Sequence, residues 1–72
     1  MPNLLKTARK QAGITITELA TKSGMSRATL DKIEKGHPIR YESAAKVVIA
    51  LNQMAGTKHT VESLQIVISS NW

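Results

Sequence analysis

The chain has 72 residues, with ten Lys and Arg against five Asp and Glu, a formal net charge of +5, and no cysteine. This length allows one domain, and the lack of cysteine excludes disulfides, thiolate nucleophiles and cysteine-ligated zinc. No apolar run approaches the roughly 20 residues that a membrane span needs. We therefore expect a cytoplasmic protein that does not enter membranes. With only two histidines, we also expect no metal and no cofactor.

The spacing of apolar residues and the positions of glycine predict four helices, at about 3–12, 16–23, 27–35 and 41–54. Thr15 precedes the second helix and Glu18 follows three residues later, which is the spacing of a capping box. Ser26 is a candidate N-cap for the third helix. Gly24 and Met25 lie between these two helices and predict a tight turn.

The fourth predicted helix is apolar around most of its circumference, whereas a surface helix has one apolar stripe. Its excess apolar surface has to be covered by the C-terminal segment, by a second subunit, or by both. Residues 66–68 are β-branched and apolar, which favours a strand. We expect a short helix or turn near residues 61–64, followed by an extended tail.

Two short helices that are joined by a glycine turn, with a basic second helix, are typical of a helix-turn-helix motif. Between residues 22 and 40 the chain carries two acidic residues and five basic ones: Lys22, Arg27, Lys32, Lys35 and Arg40. A basic stripe of this kind favours a polyanionic partner. Taken alone, it fits a solvated basic surface equally well.

Three stretches carry a family resemblance: RKQAGITITELA from residue 9, GMSRATLDKIEKG from residue 24 and YESAAKVVIAL from residue 41. Together they resemble the Cro/phage-repressor (Xre-type) helix-turn-helix family. The resemblance implies an all-α, compact, four- to five-helix lambda-repressor-like domain, with or without a short C-terminal strand. Residues 1–55 would form the DNA-binding part, and residues 56–72 a segment of the same domain for dimerisation or partner docking.

The resemblance implies that base edges are read from the start of the third helix, by Ser26, Arg27 and Ala28, with Lys32 one turn further on. Arg27 can form two hydrogen bonds with guanine O6 and N7, and the methyl group of Ala28 can contact the methyl group of thymine. The alternative is that Ser26 only caps the helix and that Arg27 only contacts a phosphate.

Phosphate contacts are expected at two places. Members of the family often have Gln at the first position of the second helix, where this chain has Ile16. The phosphate contact there falls to backbone N–H groups, with Thr15 or Thr17. Lys35 and Arg40 align with the phosphate-contacting loop of the family.

Arg9 and Glu34 match an ion pair of the family that holds the recognition helix against the rest of the domain. The alternative is that they are two separate surface charges, which would contribute little to stability. Glu34 shares the inward stripe of the third helix with Leu30 and Ile33, and this position favours the ion pair.

The sequence therefore predicts a DNA-binding regulator, a dimeric repressor of phage, plasmid or mobile-element type acting on a palindromic operator. A homodimer would place two recognition helices on half-sites about 34–36 Å apart. Its interface is predicted at Ile49 in the fourth helix and, in the tail, at Ile66, Val67, Ile68 and Trp72.

Other functions remain open. In the antitoxin of a toxin–antitoxin pair, the same tail would dock on a toxin protein while the domain represses its own operon. A restriction-controller protein and a small scaffold protein without a nucleic-acid role are further alternatives. No arrangement of residues suggests catalysis, so we expect no enzymatic activity.

Overall fold

A computed structural model of the chain describes residues 3–69, and these contain four helices. Their bounds are α1 Leu5–Gln11, α2 Ile16–Ser23, α3 Arg27–Glu34 and α4 Tyr41–Ala55. No strand forms in this part of the chain; one parallel bridge joins Ile39 to Ile68. The predicted all-α fold is confirmed. The helices lie within two residues of their predicted bounds, and α2 matches them at both ends.

Local hydrogen bonds explain where α2 and α3 begin and end. The hydroxyl of Thr15 accepts a bond from the N–H of Glu18 (3.1 Å), and the carboxylate of Glu18 accepts one from the N–H of Thr15 (2.9 Å). This is the predicted capping box. Ser26 caps α3 by accepting from the N–H of Thr29 (3.1 Å). Gly24 ends α2 with a φ of 73°, a left-handed conformation that favours glycine and allows the tight turn.

The core is aliphatic and every helix contributes to it. The helix α2 packs against both α3 and α4. The largest fully buried side chains are Leu5, Leu19, Leu30, Ile33, Val47 and Leu51. The side of α3 that carries Leu30 and Ile33 packs into this core, and the opposite side of α3 is exposed to solvent.

After α4 the chain folds back over the core. The side chain of Asn52 organises this return: its Nδ2 donates to the carbonyl of His59, and its Oδ1 accepts from the N–H of His59 and the hydroxyl of Thr57, each at 2.9 Å. Residues 61–65 form a turn. The sequence predicts either a short helix or a turn near residues 61–64. The segment buries three apolar side chains against the helices: Val61, Leu64 and Ile66.

Most apolar side chains of α4 lie in a core to which the C-terminal segment also contributes. Val47, Val48 and Leu51 are buried, whereas Ile49 is 56% exposed and Tyr41 is 47% exposed. Packing against α2 and within the shared core, which includes the C-terminal segment, therefore buries a large part of the excess apolar surface that the sequence indicates. Ile49 remains available for contacts outside the chain.

Candidate nucleic-acid interface

One face of α3 is exposed and the other is buried. Leu30, Ile33 and Glu34 are at most 4% exposed, whereas the residues predicted to read bases all lie on the exposed side: Ser26, Arg27, Ala28 and Lys32. An eight-residue helix is about 12 Å long, and the major groove of B-DNA, about 12 Å wide, admits one helix. The arrangement allows α3 to enter the groove with its first turn and Lys32.

Ser26 already has a structural role. Its hydroxyl accepts from the N–H of Thr29 and donates to the hydroxyl of Thr29 at 2.8 Å. The proton and one lone pair of the hydroxyl are therefore used, and one lone pair remains. Without rearrangement, Ser26 can accept a hydrogen bond from a base but cannot donate one.

The first turn of α2 presents backbone donors beside α3. Thr15 and Thr17 are exposed, and the N–H groups of the first turn of a helix have no partner within the helix, apart from that of Glu18, which Thr15 caps. Hydrogen bonds with Thr15, chiefly with its backbone and secondly with its side chain, lower the pKa of Glu18 below its ordinary value of 4.5. Glu18 is therefore ionised at neutral pH, and its charge competes with a phosphate for this helix terminus.

Two further basic residues lie between the end of α3 and the start of α4. Lys35 and Arg40 are exposed, and Nζ of Lys35 lies 3.0 Å from Oδ2 of Asp31. This ion pair is on the surface, so it contributes little to stability and does not prevent Lys35 from reaching a phosphate. Arg40 occupies the N-cap of α4 without making a capping hydrogen bond through its side chain.

An open depression lies between α1, α2 and α3. Its lining residues are Lys6, Arg9, Ile16, Arg27, Ala28, Asp31 and Glu34. The sequence interpretation did not assign Lys6 to this surface. Lys6 precedes Arg9 by three residues, a spacing that puts both on one face of a helix, and this pattern could have identified it.

At the floor of this depression, α1 holds the end of α3. Nε of Arg9 lies 2.7 Å from Oε2 of Glu34, and Nη2 lies 3.2 Å from Oε1. Asn3 adds a second link, because its Nδ2 donates to the carbonyl of Ile33 at 2.6 Å. The recognition helix is therefore fixed to α1 by hydrogen bonds as well as by its apolar face.

The residues predicted to form a subunit or partner interface have different environments. Ile49 and Val67 are exposed, and Ile68 is half-buried against the core. Ile66 is only 6% exposed because it packs into the core of its own chain, so it offers little surface to a partner. Trp72 lies outside the described residues.

Among residues 3–69, no group of three or more His, Asp or Glu side chains is placed to hold a metal ion. The same part of the chain contains no helix that is long and apolar enough to cross a membrane.

Comparison with known proteins identifies the family. The model of the helix-turn-helix family matches residues 5–53, about two thirds of the chain. This match covers α1, α2, α3 and most of α4, and therefore the whole exposed face described above. None of the curated proteins or solved structures that were compared matches the chain. The chain belongs to the helix-turn-helix family of the Xre and lambda-repressor type, whose members are DNA-binding transcription regulators.

Proposed function

We propose that this DNA-binding regulator is a homodimeric repressor that acts in the cytoplasm and blocks a promoter by occupying a palindromic operator. The observation that carries the proposal is the position of α3. Its basic face is exposed, while Glu34 at its end is held by Arg9 through two hydrogen bonds. A helix fixed in this way presents its side chains to the major groove with little loss of conformational entropy on binding.

In this proposal the start of α3 reads the bases. Arg27 forms two hydrogen bonds with O6 and N7 of a guanine, and Ala28 contacts a thymine methyl group. Ser26 contributes through its remaining lone pair, and Lys32 reaches the groove one turn further on. The exposure of all four side chains supports these roles.

The phosphate contacts lie on both sides of the first turn of α3, which contacts the bases. The first turn of α2, with Thr15 and Thr17, holds one phosphate through the backbone N–H groups that the capping box does not use, those of Ile16 and Thr17. Lys35 and Arg40 hold another on the far side of α3. These contacts set the register of the protein on the duplex, but they carry no sequence information of their own.

Dimerisation follows from the small size of a single reading surface. One recognition helix contacts few base pairs, so specific binding needs a second half-site about 34–36 Å away. Exposed Ile49 on α4 and exposed Val67 in the tail supply apolar surface for the second subunit. Half-buried Ile68 directly follows Val67 in the sequence.

A toxin protein is the second candidate partner for the tail, and exposed Val67 is the observation that favours it. Sedimentation of the chain alone separates the two candidates. A dimer at micromolar concentration supports the repressor, whereas a stable monomer leaves the tail free for a different protein.

Selection from random DNA tests the proposal. The full chain is incubated with a pool of random duplexes, and bound duplexes are amplified over several rounds. The expected result is an inverted repeat with half-sites one helical turn apart. Failure to enrich any sequence would contradict specific DNA reading, and a single unrepeated half-site would contradict the dimer.

A further inference from the structure

The depression between α1, α2 and α3 has an apolar side next to the guanidinium that is proposed to read guanine. Ile16 of α2 and Ala28 of α3 line it together with Arg27. Glu34 is bound to Arg9, and Asp31 forms only a surface ion pair with Lys35. Besides Asp31, the groups left for a ligand are the basic side chains of Lys6 and Arg27 and a small apolar surface.

Ile16 is held in place by the core. Its side chain is half-buried and packs against the buried cluster, while part of it faces the depression. A β-branched side chain has few rotamers, so this position is well defined. Ala28 is exposed and adds a methyl group from the neighbouring helix.

An apolar surface in a cleft that faces DNA can recognise few groups. Base edges in the major groove present hydrogen-bond donors and acceptors, with one apolar exception, the C5-methyl group of thymine. A methylated cytosine carries the same group at the same ring position. The apolar surface fits a C5-methylpyrimidine and leaves the polar groups of any other base edge without a partner.

We propose that Ile16 and Ala28 together form a methyl-reading surface that selects a thymine next to the guanine contacted by Arg27. This inference rests on the proposed DNA-reading function and adds Ile16 to its specificity-determining residues. It also gives Ile16 a role other than the phosphate contact expected of the first residue of α2.

The test uses a duplex obtained by the selection described above. The selected half-site is expected to contain thymine beside the guanine of the Arg27 contact. Replacing this thymine with deoxyuridine removes only the methyl group and should weaken binding about fourfold per half-site, which corresponds to about 0.8 kcal/mol for one methyl group. A second pair of duplexes with cytosine and 5-methylcytosine at this position distinguishes thymine reading from methyl reading. Tighter binding to 5-methylcytosine than to cytosine is expected.

Variants assign the effect to the two side chains. Because only the methyl group of Ala28 then remains to contact the thymine methyl group, Ile16→Ala should reduce the difference in affinity between the thymine and deoxyuridine duplexes. Ala28→Ser changes only an exposed side chain and should reduce the difference between them without affecting the fold, so it serves if Ile16→Ala does not fold. Leu4→Ala is the matched control, because Leu4 is an exposed apolar residue that lines a different depression, and it should keep the fourfold difference.

The outcomes separate this inference from the proposed function. An enriched operator that binds equally well with thymine and deoxyuridine would overturn the methyl contacts of Ile16 and Ala28, while sequence-specific DNA binding and the role of Arg27 would stand. A methyl effect of unchanged size in folded Ile16→Ala and in Ala28→Ser would overturn the assignment to these residues. If no sequence is enriched, both this inference and the proposed function fail.

Discussion

Arg9 and Glu34 join the first helix to the end of the recognition helix in a buried ion pair. Nε and Nη2 of Arg9 bind the two carboxylate oxygens, and Nη1 donates to the carbonyl of Ile14 at 2.9 Å. The side chains are 10% and 4% exposed. Because both groups are desolvated, each needs the other, and removing one leaves a buried charge without a partner.

Glu34→Ala should therefore lower the free energy of unfolding by about 3–5 kcal/mol. Urea unfolding of the wild type and the variant, monitored by circular dichroism at pH 7, measures this difference in the free energy of unfolding. The matched control is Asp31→Ala, which removes the carboxylate of the exposed pair with Lys35 and should cost less than about 1 kcal/mol. An unchanged midpoint for Glu34→Ala would mean that the buried pair contributes nothing to the fold.

The capping box of α2 should make stability depend on acid pH. The lowered pKa of Glu18 means that its ionised form stabilises the folded state above pH 4.5, and that this contribution is lost as the pH falls through the folded-state pKa. Melting temperatures of the wild type and Glu18→Gln should therefore differ at neutral pH and converge below pH 4.5. Ser26→Ala removes a cap without a carboxylate and should cost about 1 kcal/mol, with no such convergence.

DNA binding should weaken steeply with salt. The proposed function places two phosphates against each subunit, and each contributes about −0.9, so a plot of log K against log salt should have a slope of about −2 per subunit. Fluorescence anisotropy between roughly 50 and 200 mM salt measures this slope. Lys35→Ala should reduce it by about 1 per subunit. Lys58→Ala removes an exposed charge outside the proposed interface and should leave the slope unchanged.

Arg27→Ala distinguishes base reading from phosphate contact. On the selected duplex this variant should lose about 1–3 kcal/mol of binding free energy and lose its preference at one base pair. Binding to an unrelated duplex should change much less. An equal loss on both duplexes would reassign Arg27 to a phosphate.

Ile49→Lys should split the dimer without unfolding the subunit. Ile49 is 56% exposed in the single chain, so the charge is tolerated in a monomer but is buried in the proposed interface. Sedimentation at micromolar concentration should show a dimer for the wild type and a monomer for the variant. Leu4→Lys, at the N-cap of α1, where the residue is 44% exposed, should remain dimeric.

Truncation after Gly56 tests the other role of the C-terminal segment. It removes three core side chains, Val61, Leu64 and Ile66. The shortened chain should therefore unfold, because a domain of this size has little stability to lose. A folded monomer would instead show that the segment serves only the interface.

Features that depend on nearby residues could be predicted from the sequence alone. The bounds of α2, the capping box of Thr15 and Glu18 and the turn at Gly24 were all predictable. These features are set by hydrogen bonds over three or four residues and by the backbone freedom of glycine, so the local sequence contains the necessary information. The inward position of Glu34 was predictable for the same reason, since it follows from helical spacing.

Which apolar residues of the tail are buried depends on long-range packing and could not be predicted from the sequence. Residues 66–68 are all β-branched, and their pattern favours a strand; in the structure Ile66 enters the core, Val67 is exposed, and the segment forms a single bridge with Ile39. Packing likewise determines the link from Asn3 to Ile33 and brings Lys6 and Arg27 to the lining of one depression. Each depends on residues that lie about 20 or more positions apart, and such distances are set by how the helices pack and not by the periodicity of any one segment.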